Sequence, residues 1–140
     1  MIVVCRMGEV VPNTYDQVWA IVRSLKSGAS WMKQVPELSP SWELFGTYRY
    51  LSSVGKWGAD AFNRLYVPRF LEEMHSRESR DKLNGLCVLS RTSTIALVCF
   101  CRDESLCHRS IIGGMLKGAG CDVVMSTDGL RYYDMYKTYK

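Results

Sequence analysis

The sequence predicts an α/β fold: a single compact domain over residues 1–140, with a small, mainly parallel sheet flanked by helices. Segments with the composition of strands alternate with segments whose apolar residues recur at helical spacing, which is typical of parallel sheets. Residues 94–101 are the clearest strand, because an uncharged apolar run of this length favours a strand buried on both faces. With 140 residues, 47% of them hydrophobic, the chain is long enough to bury one core.

The amino-terminal part of the chain contains two predicted strands around one predicted helix. Residues 2–5 form the first strand and residues 30–35 the second. Between them, Thr14 or Asn13 caps the start of a helix and Gly28 ends it. The apolar positions that keep the helical spacing in this segment are Val18, Ile21, Val22 and Leu25.

The middle of the chain predicts further helices separated by prolines. Pro36 and Pro40 bracket a loop, after which Ser41 caps a short helix. Residues 57–67 carry apolar and aromatic side chains at helical spacing. Pro68 then predicts a kink or a restart, since proline inside a helix costs about 3 kcal/mol.

The carboxyl-terminal part continues the alternation of helices and strands. Residues 82–89 form a helix before the central strand, and another helix begins at about Leu106 after it. Gly118 and Gly120 suit the carboxyl end of that helix, and residues 122–125 form a last short strand. The tail interleaves aromatic and basic residues, as binders of single-stranded nucleic acid do, but an amphipathic element docked on the domain is the favoured interpretation.

Charge and composition narrow the class of protein. The net charge of +4 helps an anionic ligand approach but is too small to be typical of a nucleic-acid-binding protein. The longest apolar stretch is too short to span a membrane, and the first residues lack the apolar core of a secretory leader. We therefore expect a cytoplasmic protein whose six cysteines are reduced thiols.

A Cys-His-Arg motif follows the central strand and forms the candidate site. With Ser105 as the predicted helix cap, Cys107 and His108 lie in the first helical turn, over the carboxyl ends of the strands, where open α/β sheets bind ligands. The helix start favours an anion and lowers the pKa of a nearby thiol. Arg102 and Arg109 add positive charge and can bind a phosphate or carboxylate through two hydrogen bonds.

Three interpretations of the motif remain open. In the first, functional interpretation, Cys107 is a nucleophile or sensor, His108 is an acid or base, and Arg109 binds an anion. In the second interpretation, Cys107 and His108 only pack in the core. Cys99 and Cys101 share a strand face and can approach the motif, so a metal site is a third. Structural zinc sites usually have Cys-x-x-Cys pairs, which this cluster lacks, so we expect no bound metal and no cofactor. A Cys-x5-Arg phosphatase loop is also absent.

Several short motifs between about residues 30 and 125 resemble one family. The motifs are Trp31-x-Lys33, Leu38-Ser39-Pro40-Ser41-x-Glu43-Leu44, Phe62-x3-Tyr66, Leu97-Val98-Cys99-Phe100-Cys101, Cys107-His108-Arg109, and Gly120 before a valine strand. In this order they resemble the domain of unknown function 488 family of bacteria and phages, which includes the YeaO-like proteins. The resemblance implies an α/β fold with a cleft around the Cys-His-Arg motif and the Ser-Pro-Ser loop, and it implies no established activity.

Other residues complete the candidate site. Ser39 (where the family usually has alanine) and Ser41 lie in a loop that can offer hydroxyl donors to a ligand, although Ser41 is also a helix cap. Tyr66 either points its hydroxyl into the cleft or packs in the core, and Arg6 loosely matches the arginine that ends the family's first strand. The predicted ligand-binding residues are therefore Arg6, Ser39, Ser41, Tyr66, Cys101, Arg102 and Arg109.

These residues predict a protein that handles a small, anionic, phosphorylated, nucleotide-like ligand. If the protein is an enzyme, Cys107 is the nucleophile and His108 transfers protons. The alternatives are a non-catalytic protein that binds a nucleotide or nucleic acid, and a module stabilised by a metal on cysteine and histidine. We expect no membrane partner, and the sequence gives no indication of the oligomeric state.

Overall fold

The α/β class is confirmed by the computed structural model, which describes residues 1–23 and 31–138. The strands of its sheet are β1 (Ile2–Arg6), β2 (Gln17–Ala20), β3 (Lys33–Gln34), β4 (Ile95–Cys99) and β5 (Val123–Val124). They lie in the order β3-β2-β4-β1-β5, and every pair is parallel. The carboxyl ends of the strands therefore meet at one edge of the sheet, and β4 lies at the centre of that edge between β2 and β1.

Helices cover the sheet and complete the core. They are α1 (Trp42–Ser53), α2 (Ala59–Ala61), α3 (Val67–Glu73), α4 (Arg77–Leu89), α5 (His108–Gly118) and α6 (Leu130–Thr138). Every residue of β4 is buried, as the uncharged run predicted, and so are the first nine residues of α5. Residues 100–107 join β4 to α5. Because both of these elements are buried, the side chains of the joining segment lie next to the core.

Local signals in the middle of the chain are confirmed. The Ser41 hydroxyl accepts a hydrogen bond from the Leu44 amide at 3.1 Å and so caps α1. The helix restarts at Pro68, which lies in the first turn of α3, where no intrahelical donor is needed. A π-helical turn, Phe62–Tyr66, leads into this restart.

The helix predicted from Thr14 to Gly28 is wrong, because residues 17–20 form strand β2. Its apolar residues belong to a continuous buried run from Val18 to Val22, and such a run suits a strand covered on both faces. Over so few residues, apolar spacing does not distinguish this strand from a buried helix. The predicted positions Leu25 and Gly28, and the start of the strand predicted at residues 30–35, lie outside the described residues. Within that second strand, only Lys33–Gln34 pair as β3.

The cap predicted at Ser105 is also wrong. Asp103 caps a short 3-10 turn, Glu104–Leu106, by accepting a hydrogen bond from the Ser105 amide at 3.0 Å. The chain is extended at Cys107, which is the cap residue of α5, so His108 is the first helical residue. At the other end of α5, Gly120 has a φ of +96° and closes the helix as predicted.

The carboxyl-terminal tail forms helix α6, which packs along α5 and buries Tyr132. This arrangement agrees with the docked amphipathic element favoured by the sequence. The helices meet through two glycines, because a Cβ atom on Gly114 would overlap the backbone of Gly129. Across the described ranges, every helix is too short or too polar to cross a lipid bilayer.

The expectation that all six cysteines are reduced is wrong for one pair. Cys87, near the end of α4, and Cys121, just after α5, form a disulfide across a Cα–Cα distance of 6.1 Å. The other four cysteines are free thiols, and three of them belong to the candidate site. The disulfide uses none of the three thiols of that site.

Candidate functional site

A cluster of three thiols lies where β4 ends and α5 begins. Cys99 is the last residue of β4, Cys101 follows two residues later, and Cys107 is the cap residue of α5. The Sγ atoms of Cys99 and Cys107 are 2.9 Å apart, and both side chains are buried. Parallel pairing places the end of β4 beside the end of β2, so the cluster lies at the sheet edge that the sequence predicted.

His108 is held in one tautomer beside the thiols. Its Nε2 lies 2.7 Å from the carbonyl oxygen of Ile21, which can only accept, so Nε2 carries the proton. The other nitrogen, Nδ1, is 3.7 Å from the Sγ atom of Cys107. In the neutral imidazole, Nδ1 therefore has a free lone pair directed at this thiol.

Arg109 is turned into the protein rather than toward solvent. It is 3% exposed, and its Nη1 donates to the Cys101 carbonyl at 2.6 Å and to the Cys99 sulfur at 3.2 Å. Its Nε is buried and has no hydrogen-bond partner. Among the residues that the structure describes, no carboxylate forms an ion pair with this guanidinium. The acceptors that the Arg109 guanidinium reaches are therefore sulfur atoms and a backbone carbonyl.

The pKa values of the three thiols are shifted in different directions. Hydrogen bonds from Cys101 and Cys107 hold the pKa of the Cys99 thiol well below its usual range, and the charge of Arg109 acts in the same direction. Burial raises the pKa of Cys107 well above its usual range. The hydrogen bond of Cys101 with Cys107 lowers its pKa, but the bond with Cys99 and burial outweigh this and raise it to about 12. The expected lowering of the pKa at the helix start is therefore wrong for Cys107, and it is the pKa of Cys99 that is lowered.

The thiol cluster forms part of the lining of a cavity of about 540 Å³. This volume is in the range of small-molecule sites. Besides the three thiols and His108, the lining residues are Met7, Ile21, Val22, Arg23, Pro40, Trp42, Phe45, Tyr48, Trp57, Tyr66, Phe100 and Leu106. Of the lining residues that the structure describes, six are aromatic and none carries a carboxylate. The cavity therefore favours a flat, apolar-faced ligand that is neutral or anionic.

The structure brings some predicted ligand-binding residues to the cavity and leaves others outside it. Tyr66 lines the cavity, and burial raises the pKa of its hydroxyl well above the usual range. Ser39 is buried and donates to the Pro36 carbonyl, while Ser41 donates to the Glu73 carboxylate. Both serines flank the lining residue Pro40 but do not line the cavity themselves.

The three predicted arginines also lie outside the lining. Arg6 and Arg102 are exposed, each next to a lining residue, Met7 and Cys101 respectively. The Arg109 guanidinium lies behind the thiols. A direct contact of any of these arginines with a ligand stays a prediction.

Sequence reasoning missed most of the cavity wall. Trp42, Phe45 and Tyr48 come from α1, and Tyr48 packs edge-on against Trp57 at a centroid distance of 4.7 Å. Their spacing, three residues apart, was visible and indicates a shared helix face, but it does not say whether that face packs or binds. Arg23, a cationic side chain that lines the cavity just after β2, fell in the segment mispredicted as a helix.

The cluster also has the composition of a metal site. One ligand atom from each of Cys99, Cys101, Cys107 and His108 lies within 4.8 Å of all the others. Three thiols and an imidazole are ligands that Zn²⁺ prefers. The arrangement can therefore do two kinds of chemistry, nucleophilic attack by sulfur or coordination of a soft cation.

Comparisons with known proteins support the resemblance noted in the sequence. A family profile described as "Active DUF488-N3 subclade" matches residues 2–120, which include every strand but β5 and the whole thiol cluster. No curated protein and no solved structure matches the chain. Because the profile covers most of the sequence, the chain belongs to the domain of unknown function 488 family.

Proposed function

We propose that this protein is a thiol-dependent enzyme that acts on a nucleotide-like ligand, with Cys107 as nucleophile and His108 as proton carrier. One observation carries the proposal: three thiols and an oriented imidazole lie at one end of a cavity whose walls are aromatic. The description of the matching subclade as active is consistent with an enzyme.

The ligand class follows from the walls of the cavity. Aromatic rings stack on nucleobases, and such stacking contributes about 1–3 kcal/mol per base. Trp42 is 62% exposed and Phe100 is 56% exposed, so both offer ring surface at the cavity without being held in the core. Arg23 lines the cavity, and Arg6 and Arg102 lie next to lining residues, so positive charge is available for a phosphate.

Cys107 is the proposed nucleophile because it is the thiol whose sulfur lies next to the imidazole. Nδ1 of His108 takes the Cys107 proton while sulfur forms a bond to an electrophilic carbon of the ligand. The bond from that carbon to its leaving group breaks, and the leaving group takes the electron pair and the proton from His108. Water then attacks the carbon, and the released Cys107 sulfur takes a proton from that water.

Ligand binding is tested with tryptophan fluorescence during titration with AMP, GMP, CMP and UMP. We expect saturable quenching by at least one nucleotide, and Trp42→Ala should weaken its binding roughly 5- to 150-fold through lost stacking. Trp31→Ala is the matched control, because Trp31 is exposed and does not line the cavity. Equal affinities for these two variants would contradict the proposed position of the base.

The thiol step is tested by alkylation with iodoacetamide, followed by peptide mass spectrometry. We expect Cys107 to be alkylated and the bound nucleotide to protect it. The half-buried Cys5, which does not line the cavity, should show no protection. A Cys107→Ser variant should bind the nucleotide as the wild type does. Alkylation of Cys107 that nucleotide leaves unchanged would refute its place beside the ligand.

A non-catalytic protein that binds single-stranded nucleic acid is the second candidate. The exposed rings of Trp42 and Phe100 and the exposed Arg102 favour it, since such binders combine stacking with positive charge. Affinity for an oligonucleotide that falls steeply with salt would support this candidate, and a shallow dependence would support the small ligand.

We also propose a cytoplasmic location, because reducing compartments keep thiols such as those of the cluster free. The disulfide between Cys87 and Cys121 does not favour it. Fractionation of the source cells with detection of the protein would decide, and its recovery outside the cytoplasm would contradict the proposal.

A further inference from the structure

We propose that Cys99, Cys101, Cys107 and His108 bind one Zn²⁺ ion, and that the bound ion blocks Cys107. The metal site goes beyond the proposed function and does not depend on it; the block rests on the proposed function. Three independent features of the cluster carry the inference: the spread of its ligand atoms, the tautomer of its histidine, and the position of Arg109.

The spread of the ligand atoms suits a tetrahedral ion. With a Zn–S distance of about 2.3 Å, a tetrahedral site separates neighbouring sulfurs by about 3.8 Å. The four ligand atoms of the cluster lie within 4.8 Å of one another, and the closest pair of sulfurs is 2.9 Å apart. Side-chain movements of about 1 Å are enough to reach coordination geometry, so the backbone can stay where it is.

His108 is oriented as a metal ligand. Metal-binding histidines almost always donate their second ring N–H to a carbonyl or carboxylate, which fixes the ring and directs the other nitrogen to the metal. The Nε2–H of His108 donates to the Ile21 carbonyl at 2.7 Å. The lone pair of Nδ1 is then free on the side of the Cys107 sulfur, 3.7 Å away.

Arg109 supplies charge compensation for a metal with three thiolates. Zn²⁺ with three thiolates and a neutral imidazole has a net charge of −1, and a buried charge is tolerated only when it is paired. Arg109 is 3% exposed, and its Nη1 donates to the sulfur of Cys99 at 3.2 Å and lies 3.7 Å from that of Cys107. Its single positive charge matches the net charge of the occupied site.

The missing Cys-x-x-Cys pair, which counted against a metal in the sequence, does not exclude this site. A Cys-x-x-Cys pair places two ligands on one tight turn, whereas here the end of β4 and the cap of α5 bring the thiols together from separate elements. The sheet and the buried helix position the ligands. Coordination also removes the Cys107 sulfur and Nδ1 of His108 from reaction, because both would bind the metal.

Cobalt substitution tests the site in the whole protein. After dialysis against EDTA, we expect Co²⁺ to bind one per chain, with a near-ultraviolet sulfur-to-cobalt charge-transfer band and the intense visible bands of tetrahedral cobalt. Added Zn²⁺ should displace it. Cys101→Ser should lose both sets of bands, whereas Cys5→Ser, which changes a free thiol outside the cluster, should keep them. Circular dichroism establishes that Cys101→Ser is folded.

X-ray absorption of the zinc-bound wild type gives a second measurement that needs no variant. Three sulfurs and one nitrogen around zinc support the site, and oxygen-rich coordination overturns it, as does cobalt binding that Cys101→Ser leaves unchanged. The block is measured separately, as slower iodoacetamide alkylation of Cys107 with Zn²⁺ than without. If Zn²⁺ binds but does not slow the alkylation of Cys107, the proposed block is refuted and the metal site stands. If a nucleotide protects Cys107 but no metal binds, the metal site is refuted and the proposed function stands.

Discussion

Replacing Gly114 by alanine tests how α6 is attached to the domain. Alanine inside a helix normally stabilises by about 1 kcal/mol relative to glycine. At Gly114, however, the new Cβ would overlap the oxygen, carbon and Cα atoms of Gly129. The Gly129 carbonyl accepts a hydrogen bond from the Tyr132 amide at 3.0 Å, so its backbone cannot move without shifting the start of α6. Overpacking of this kind costs about 1–3 kcal/mol, and more when no flexible side chain can yield.

Because the overlap is with backbone atoms, we take the upper end of that range, about 3 kcal/mol. Less the helix gain of about 1 kcal/mol, the expected net loss for Gly114→Ala is about 2 kcal/mol, which lowers the melting temperature by roughly 4–8 °C in a domain of this size. Gly46→Ala is the matched control, because Gly46 lies in the exposed part of α1 with open space where a Cβ would lie. That variant should be as stable as the wild type or up to about 1 kcal/mol more stable. Urea and thermal denaturation give both values. If Gly114→Ala proves as stable as Gly46→Ala, the close approach of α5 and α6 is refuted.

Three further predictions concern a cap, a cross-link and the cluster. Ser41→Ala removes the cap of α1 and should lower the free energy of unfolding by about 0.5–2 kcal/mol in urea titrations; a change of only a few tenths would contradict it. The double variant Cys87→Ser/Cys121→Ser opens a loop of sequence separation 34 and should cost about 4 kcal/mol. A melting temperature of the wild type that is insensitive to dithiothreitol would speak against that disulfide. Arg109→Lys should weaken Co²⁺ binding about 10- to 100-fold in competition titrations, while Arg102→Lys should not.

The parts of the fold that the sequence predicted well are those fixed by local chemistry. Ser41 caps its helix and Gly120 closes another because a hydroxyl and a positive φ act within a few residues. Strand β4 was predicted because its uncharged run admits few other structures at that length. Each of these outcomes needs no knowledge of distant residues.

Strand β2 was missed because its pattern depends on neighbours that are remote in sequence. The run from Val18 to Val22 is buried on both sides by β3 and β4 and by the helices on the faces of the sheet, so it shows no alternation. An apolar residue recurs at helical intervals in any continuous apolar run. The spacing was therefore real but carried no information about the secondary structure.

The cavity also depends on contacts between residues that are remote in sequence, so the sequence predicted only part of it. The Cys-His-Arg motif was visible because its residue types are rare in that combination, and the structure brings two further thiols to it. The spacing of the aromatic residues on α1 was visible but did not identify a cavity wall, because Trp42 and Trp57 come together at the cavity only in the folded chain. Residue chemistry identified the end of the cavity that carries the thiols, and tertiary packing determined the rest.

Arg109 is a residue of the motif whose surroundings are determined by tertiary packing. A helix with an apolar stripe usually has a second side that faces solvent, and an arginine such as Arg109 on that side would be free to bind a ligand. Instead α5 is buried from His108 to Leu116, and α6 packs along it with the backbone of Gly129 against Gly114. An enclosed guanidinium must find acceptors inside, and the sulfur of Cys99 and the carbonyl of Cys101 are the ones it reaches. The family match ends at residue 120, before α6 begins, so the helix that packs along α5 lies outside the matched region.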